Sequence, residues 1–361
     1  MPKAIRWVIL LLSGILSLVI IVSAVVIGGA IYFNAPPGEL LSSDETFSEG
    51  TGIKLEDEYL MLEVKNGESA QSVGQRLEKA GIIKNHYFWN LLFRLDKEHI
   101  KTGTYRILLP ATQMEIRSIL ISGEQLLIRV TVPEGTTIKK TARIFEESGI
   151  CTADAFIAAA SSKEIIDFFN IPGASMEGYL YPDTYLFPLN FPAARVVSTM
   201  ASTFFKRLEK IAGETLSHES INPAQLNNRV IIASIVEREY QISDEAPLIA
   251  GVFYNRLGIG MALQSCATVE YIITEILGRP HPEVLFNRDL EIRDPYNTYL
   301  RPGLPPGPIS SPGETALKAA FNPVDSDYLY FRLVDAESGM HYFSRTLDDH
   351  IRAGSLYLKR R

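Results

Sequence analysis

The sequence predicts an α+β protein with a single N-terminal transmembrane helix, a small strand–helix–helix–strand (βααβ) region and a larger mixed α+β domain. Three observations carry this. No charged residue occurs between Trp7 and Phe33. Segments beginning at Val64 and Val132 repeat one strand–turn–helix pattern at an offset of 68 residues. From about residue 166 onward, short blocks rich in Tyr, Pro and Gly alternate with helical stretches, one of them apolar nearly all round.

The apolar run is dominated by Leu, Ile and Val. At ~1.5 Å per residue it is longer than a hydrocarbon layer of ~30 Å. Trp7, Tyr32 and Phe33 stand at its ends, where amphipathic rings favour the headgroup region. Lys3 and Arg6 precede it and Glu39, Asp44 and Glu45 follow. The positive-inside tendency therefore makes residues 1–6 a cytoplasmic tail and 7–33 a single-pass anchor, and puts everything beyond outside. A cleaved signal peptide is the competing reading, but its apolar core is ordinarily about 7–15 residues. Residues 34–58, with Pro36-Pro37-Gly38 and then Ser, Thr, Gly and acidic residues, read as a linker. One span forms no pore, so the chemistry is expected in the exported part.

The repeat lies in residues 59–165. Val64-Lys65-Asn66-Gly67-Glu68-Ser69, Leu77 and Gly81-Ile82 match Val132-Pro133-Glu134-Gly135-Thr136-Thr137, Phe145 and Gly149-Ile150. Each reads as strand, tight turn, helix and C-cap. Ser69 and Thr137 are N-cap candidates, and Gly81 suits the left-handed position that ends a helix. A second apolar stretch, Tyr87–Leu95, and a strand, Gly103–Leu108, complete the first copy. This layout resembles a LysM module. LysM modules bind N-acetylglucosamine-containing glycans, so the resemblance implies contact with cell-wall polymer; a structural spacer is the other reading.

In residues 166–361 the first block is Glu177-Gly178-Tyr179-Leu180-Tyr181-Pro182-Asp183-Thr184-Tyr185. Tyrosines offer a flat apolar face with a hydroxyl edge, a good sugar platform, although such a block taken alone is more often core plus turn. Next comes the helix Arg229–Tyr240, apolar nearly all round and ending in Glu237 and Glu239. A buried carboxyl has a raised pKa and can serve as a general acid. Periodicity does not choose between the two: Glu237 shares a face with Val230, Ala233 and Ser234, and Glu239 with Ile232, Ile235 and Val236. Solvation of both, or their pairing with Arg238 and Arg256, is the bland alternative. Further blocks are Phe253–Leu257, Leu263-Gln264-Ser265-Cys266 and Tyr296-Asn297-Thr298-Tyr299. Eight of the twelve residues from Pro302 to Gly313 are Pro or Gly, which suits a stiff cleft wall. Asn322-Pro323, a strand-like Tyr328–Phe331, His341–Ser344 and His350 follow; single histidines here read as structural.

Composition excludes several classes. Thirty-five basic against 42 acidic residues, a net charge of -7, argues against nucleic acid. Two cysteines, Cys151 and Cys266, lie in no C-x-x-C, and six scattered histidines form no H-E-x-x-H, so no metal or organic cofactor is expected. No G-x-S-x-G or S-x-x-K marks a protease.

Taken in order, E-G-Y-L-Y-P-D-T-Y, A-S-I-V-E-R-E, F-Y-N-R-L, L-Q-S, Y-N-T-Y, G-L-P-P-G-P-I-S, N-P and H-Y-F-S, together with the membrane end, resemble the MltG-type (YceG-like) family of endolytic murein transglycosylases. The resemblance implies a bacterial protein of the inner (cytoplasmic) membrane. Its catalytic part would be extracytoplasmic, cleaving the β-1,4 bond between N-acetylmuramic acid and N-acetylglucosamine in peptidoglycan glycan strands. The products carry 1,6-anhydro ends. Glycan elongation would be terminated beside peptidoglycan synthases. By position it assigns the acid/base to Glu237. Gln264, Tyr296, Asn297 and the Pro305–Ser310 loop are expected as cleft walls and sugar contacts, and Glu177 and Asp183 as either substrate contacts or scaffold. One departure is Cys266, where family members often carry an acidic residue. The alternatives are a hydrolytic muramidase and a non-catalytic wall tether.

Overall fold

The computed structural model describes residues 3–38, 52–56, 58–96, 98–212 and 222–359. Residues 1–2 of the expected tail and 39–51 and 57 of the expected linker lie outside the described residues. The chain forms two compact units, 1–127 and 128–361.

The first unit runs α1 (Lys3–Asn34), β1 (Ile53–Glu56), β2 (Tyr59–Val64), α2 (Ala70–Lys79), α3 (His86–Asp96), β3 (Gly103–Leu108) and α4 (Gln113–Ser122). Within α1, Leu10–Asn34 is long and apolar enough to cross a membrane. The three strands form an antiparallel sheet in the order β1-β2-β3. Along β2 every second residue, Leu60, Leu62 and Val64, is buried, as a strand with one covered face requires. Val73 and Leu77 of α2 and Trp89 of α3 cover that face. Ser69 caps α2 by accepting the Ser72 N–H, and Gly81 follows the helix at φ +67°. The linker expected over 34–58 is interrupted by β1, whose Ile53 is buried against this core. The βααβ order expected from the first repeat is therefore present, with an extra edge strand.

The second unit begins with β4 (Leu127–Thr131), α5 (Ile138–Glu147), α6 (Ala153–Ala160), α7 (Lys163–Phe168), β5 (Thr184–Pro188) and α8 (Ala193–Ala212). It continues with α9 (Pro223–Glu239), α10 (Ala246–Gly258), α11 (Cys266–Tyr271), α12 (Asn287–Leu290), α13 (Glu314–Phe321), β6 (Tyr330–Asp335), β7 (Met340–Ser344) and α14 (Leu347–Lys359). β4 pairs with β5, and β6 with β7 as an antiparallel hairpin. The strand expected at 328–331 starts at Tyr330, although the Leu329 N–H already donates to Ser344 O at 3.0 Å.

The second repeat copy obeys the same local rules as the first. Thr137 caps α5 by accepting the Lys140 N–H, and Gly135 and Gly149 take positive φ. Its burial partners differ, however. Val132, Phe145 and Ile150 pack with α8 and α9 residues in the second unit's core. The grouping 59–165 thus cuts across the observed partition, because the apolar face of α5 is covered by residues far downstream.

Candidate active site

Helix α9 starts at an Asn222 cap with Pro223 in its first turn and is buried without interruption from Val230 to Val236. Two residues along a helix turn the side chain by about 200°, so Glu237 and Glu239 leave α9 on opposite sides.

Glu239 lines a cavity of about 520 Å³ with Arg256, Gln264, Cys266, Tyr299 and Tyr330. Ser265 Oγ–H donates to its Oε1 at 2.5 Å. Ser265 is itself fixed, its N–H donating to Thr298 Oγ1 at 3.1 Å. Burial pushes the Glu239 carboxyl up to about 7; Glu270 adds to this, and the Ser265 bond, Arg238 and Arg256 oppose it. At the rim, exposed Gln264 sits at φ +51°, a conformation that non-glycine residues seldom adopt and that clusters at functional sites.

Glu237 faces elsewhere. Its Oε2 accepts the Gly313 N–H at 2.9 Å, just before α13, and the Glu134 carboxyl lies over Gly313. Burial pushes Glu237 up to about 7 as well, with the Glu134 charge adding and the Gly313 bond, Tyr240 and Arg238 opposing. The Gly135 N–H donates to Ser311 O at 2.9 Å and the Ser311 N–H to Thr136 O at 2.8 Å, so Glu237 closes a seam between the second repeat's turn and the Pro/Gly loop. Neither carboxyl is tied up as the bland alternative required. Arg238 pairs with Glu270 at 3.0 Å, and Arg256 donates to the main-chain carbonyls of Leu263 and Leu329.

The other expected residues fall into three groups. Gln264 joins Glu239 at the cavity. Tyr296 and Glu177 share a smaller cavity of about 140 Å³ with Pro306 and Pro308. Asn297, Ser310, Pro305 and Asp183 line neither of these cavities. Asn297 is fully buried, with its amide donating to Leu290 O and Ile292 O and its Oδ1 accepting the Tyr299 N–H. Ser310 is fully buried and donates to Ser234 O at 3.0 Å. Pro305 is buried, and Asp183 pairs with Arg207 at 3.0 Å. The sequence reading passed over Ser265 and Tyr299, although both lie inside blocks it had marked. It took His350, which lines the larger cavity, as structural. Cys266 Sγ lies 3.1 Å from Tyr299 Oη on the same wall. Among the described residues no group of three or more His, Cys, Asp or Glu is placed to hold a metal.

Glu177 offers a pH signature. Both its oxygens accept the Ile138 N–H at 3.2 Å, at the start of α5, yet burial raises its pKa to about 8. A carboxyl that binds its proton more tightly in the folded state contributes stability that is complete below about 4.5 and is lost as pH rises to about 8. The melting temperature is therefore expected to fall between pH 5 and pH 8. Glu177→Gln should flatten that slope; an unchanged slope in a thermal melt series would contradict this account.

The fold and the cavity define a mixed α+β protein with a pocket that carries the Glu239 carboxyl at the end of a buried helix. The chain belongs to the YceG-like family, whose profile matches residues 62–355. It is 30% identical over 325 residues to an endolytic murein transglycosylase of Streptococcus pneumoniae, covering 81% of this chain and 57% of that protein. An endolytic murein transglycosylase of Bacillus subtilis is 28% identical, with 82% of this chain and 84% of that protein covered. The chain thus spans a little over half the length of its streptococcal relatives. A crystal structure of a YceG-like protein from Listeria monocytogenes aligns with a TM-score of 0.54 at 28% identity, over 82% of this chain and 99% of that one.

Proposed function

We propose that this protein is an endolytic murein transglycosylase, anchored in the cytoplasmic membrane by α1 with residues 1–6 inside and the remainder outside. The observation that carries the chemistry is Glu239: a half-buried carboxyl with a raised pKa, on the wall of a cavity large enough for sugar rings. Protonated Glu239 donates its proton to the glycosidic oxygen as the bond from the muramic C1 breaks. The muramic 2-acetamido group shields the developing cation. Glu239, now a carboxylate, takes the proton of the C6 hydroxyl, whose oxygen closes the 1,6-anhydro ring on C1. Water does not enter. One carboxyl suffices because the substrate supplies the nucleophile, whereas a hydrolase needs two. Gln264 and Tyr299 border the sugar, and Tyr296 with Glu177 offers a second contact zone.

Glu237 in the acid role is the second reading, supported by its equally raised pKa and its place at the same helix end. The βααβ part of the first unit, LysM-like in layout, is proposed to touch the glycan, and residues 166–361 to carry most of the catalytic residues. Membrane tethering directs the activity to newly made strands, so the enzyme ends glycan elongation beside the synthases.

Mass spectrometry of products released from murein tests the reaction. Ends lighter by one water than a hydrolysed glycan support it. Reducing ends would point to a muramidase, and glycan binding with no turnover to a tether.

A further inference from the structure

The 520 Å³ cavity has a cationic wall that sugar cleavage alone does not call for. Arg256, Arg332, His341 and His350 line it, and among the described residues Glu239 is the one carboxyl on its lining. Arg256 is buried, and its guanidinium is spent on main-chain carbonyls. Arg332 packs its guanidinium against Gly354 of α14 and has neither an ion pair nor a hydrogen bond among the described residues. The His350 ring lies tilted against Tyr330 with centroids 5.4 Å apart, and its Nδ1 is buried with no hydrogen-bond partner among the described residues. Burial and the two arginines hold the imidazole below its usual pKa, so it is a neutral donor–acceptor rather than a third fixed cation. A planar guanidinium and a neutral imidazole on one cavity wall fit a carboxylate: two parallel N–H bonds from arginine and one from the ring. The sugar rings of a glycan are uncharged, so the matching anion lies on the muramic substituent.

We propose that the Arg332–His350 wall binds a carboxylate of the substrate, from the peptide stem or from a bare lactyl group, and so makes the enzyme selective for acid-bearing glycan strands. This rests on the murein reading above. The test uses the full-length chain in detergent with three substrates: intact murein, murein whose stem carboxyls have been amidated, and glycan stripped of its peptides. The wild type is expected to show a KM about tenfold lower for a carboxylated substrate than for the amidated one. Preference for intact murein assigns the stem carboxyl; preference for stripped glycan assigns the lactyl group. Arg332→Gln should bring the carboxylated and amidated KM values to within about twofold. A preference that survives Arg332→Gln, or its absence in the wild type, overturns the proposal. Calorimetric binding of a disaccharide-peptide and its amidated form to wild type and Arg332→Gln reads the same discrimination without turnover. A failure of the transglycosylase reading is then distinguishable: binding discriminates although no anhydro ends form.

Discussion

Glu239→Gln is expected to reduce release of anhydro-ended products by about 10²–10⁴-fold, the usual worth of a positioned general acid, with little change in the melting curve. Glutamine keeps the shape and can still accept the Ser265 hydroxyl, so the loss isolates the proton. In the wild type the acid must be protonated, and its pKa stands near 7. kcat/KM is therefore expected to fall as pH rises past about 7. Glu237→Gln is the matched comparison. Glu237 accepts the Gly313 N–H at the foot of the Pro/Gly loop, a bond that a glutamine oxygen can also accept, so Glu237→Gln should fold with little loss of stability and leave turnover far above that of Glu239→Gln. The reverse ranking, with Glu239→Gln active and Glu237→Gln folded but inactive, would move the acid to Glu237.

Gly178→Ala is expected to be among the most damaging single changes away from the cavity. Gly178 sits at φ +82°, and a Cβ there would lie 2.4 Å from Pro308 Cβ and 3.1 Å from Val230 Cγ1. The left-handed backbone costs an alanine about 1–2 kcal/mol, and overpacking a further 1–3. Pro308 cannot yield easily, since its ring belongs to the stiff loop fastened by Ser310 and Gly313. Gly260 provides the control: its φ is +67° with nothing within 4 Å, so Gly260→Ala bears the backbone term alone. Urea denaturation should show Gly178→Ala losing clearly more than Gly260→Ala. Equal losses would mean that the loop does not seat on the Glu177–Tyr185 block as described.

Local features were legible wherever one residue fixes one geometry. The caps Ser69 and Thr137, the positive-φ glycines of both repeats, β3 and the buried run of α9 are all written in short-range patterns. The choice between Glu237 and Glu239 was not. A helix covered on every side carries no periodic difference between its faces, and only the tertiary partners, Gly313 on one side and Ser265 on the other, separate them. Asn297 and Ser310 are ambiguous in the sequence for a related reason. A polar residue in a loop looks alike whether it meets a ligand or the main chain, and here both serve the main chain. The cationic wall was hidden because Arg256, Arg332 and His350 are scattered through the sequence and meet only once α10, β6 and α14 are packed.

The seam that joins Gly135 and Thr136 to Ser311 bears on how the protein is to be handled at the bench. An expression fragment cut at residue 166 would discard β4 and α5, strip the cover from Phe145's neighbours in the core and leave the Pro/Gly loop without its backstop. A fragment begun near Ile128 retains every one of those supports and is the shorter piece to pursue for crystals and inhibitor screens.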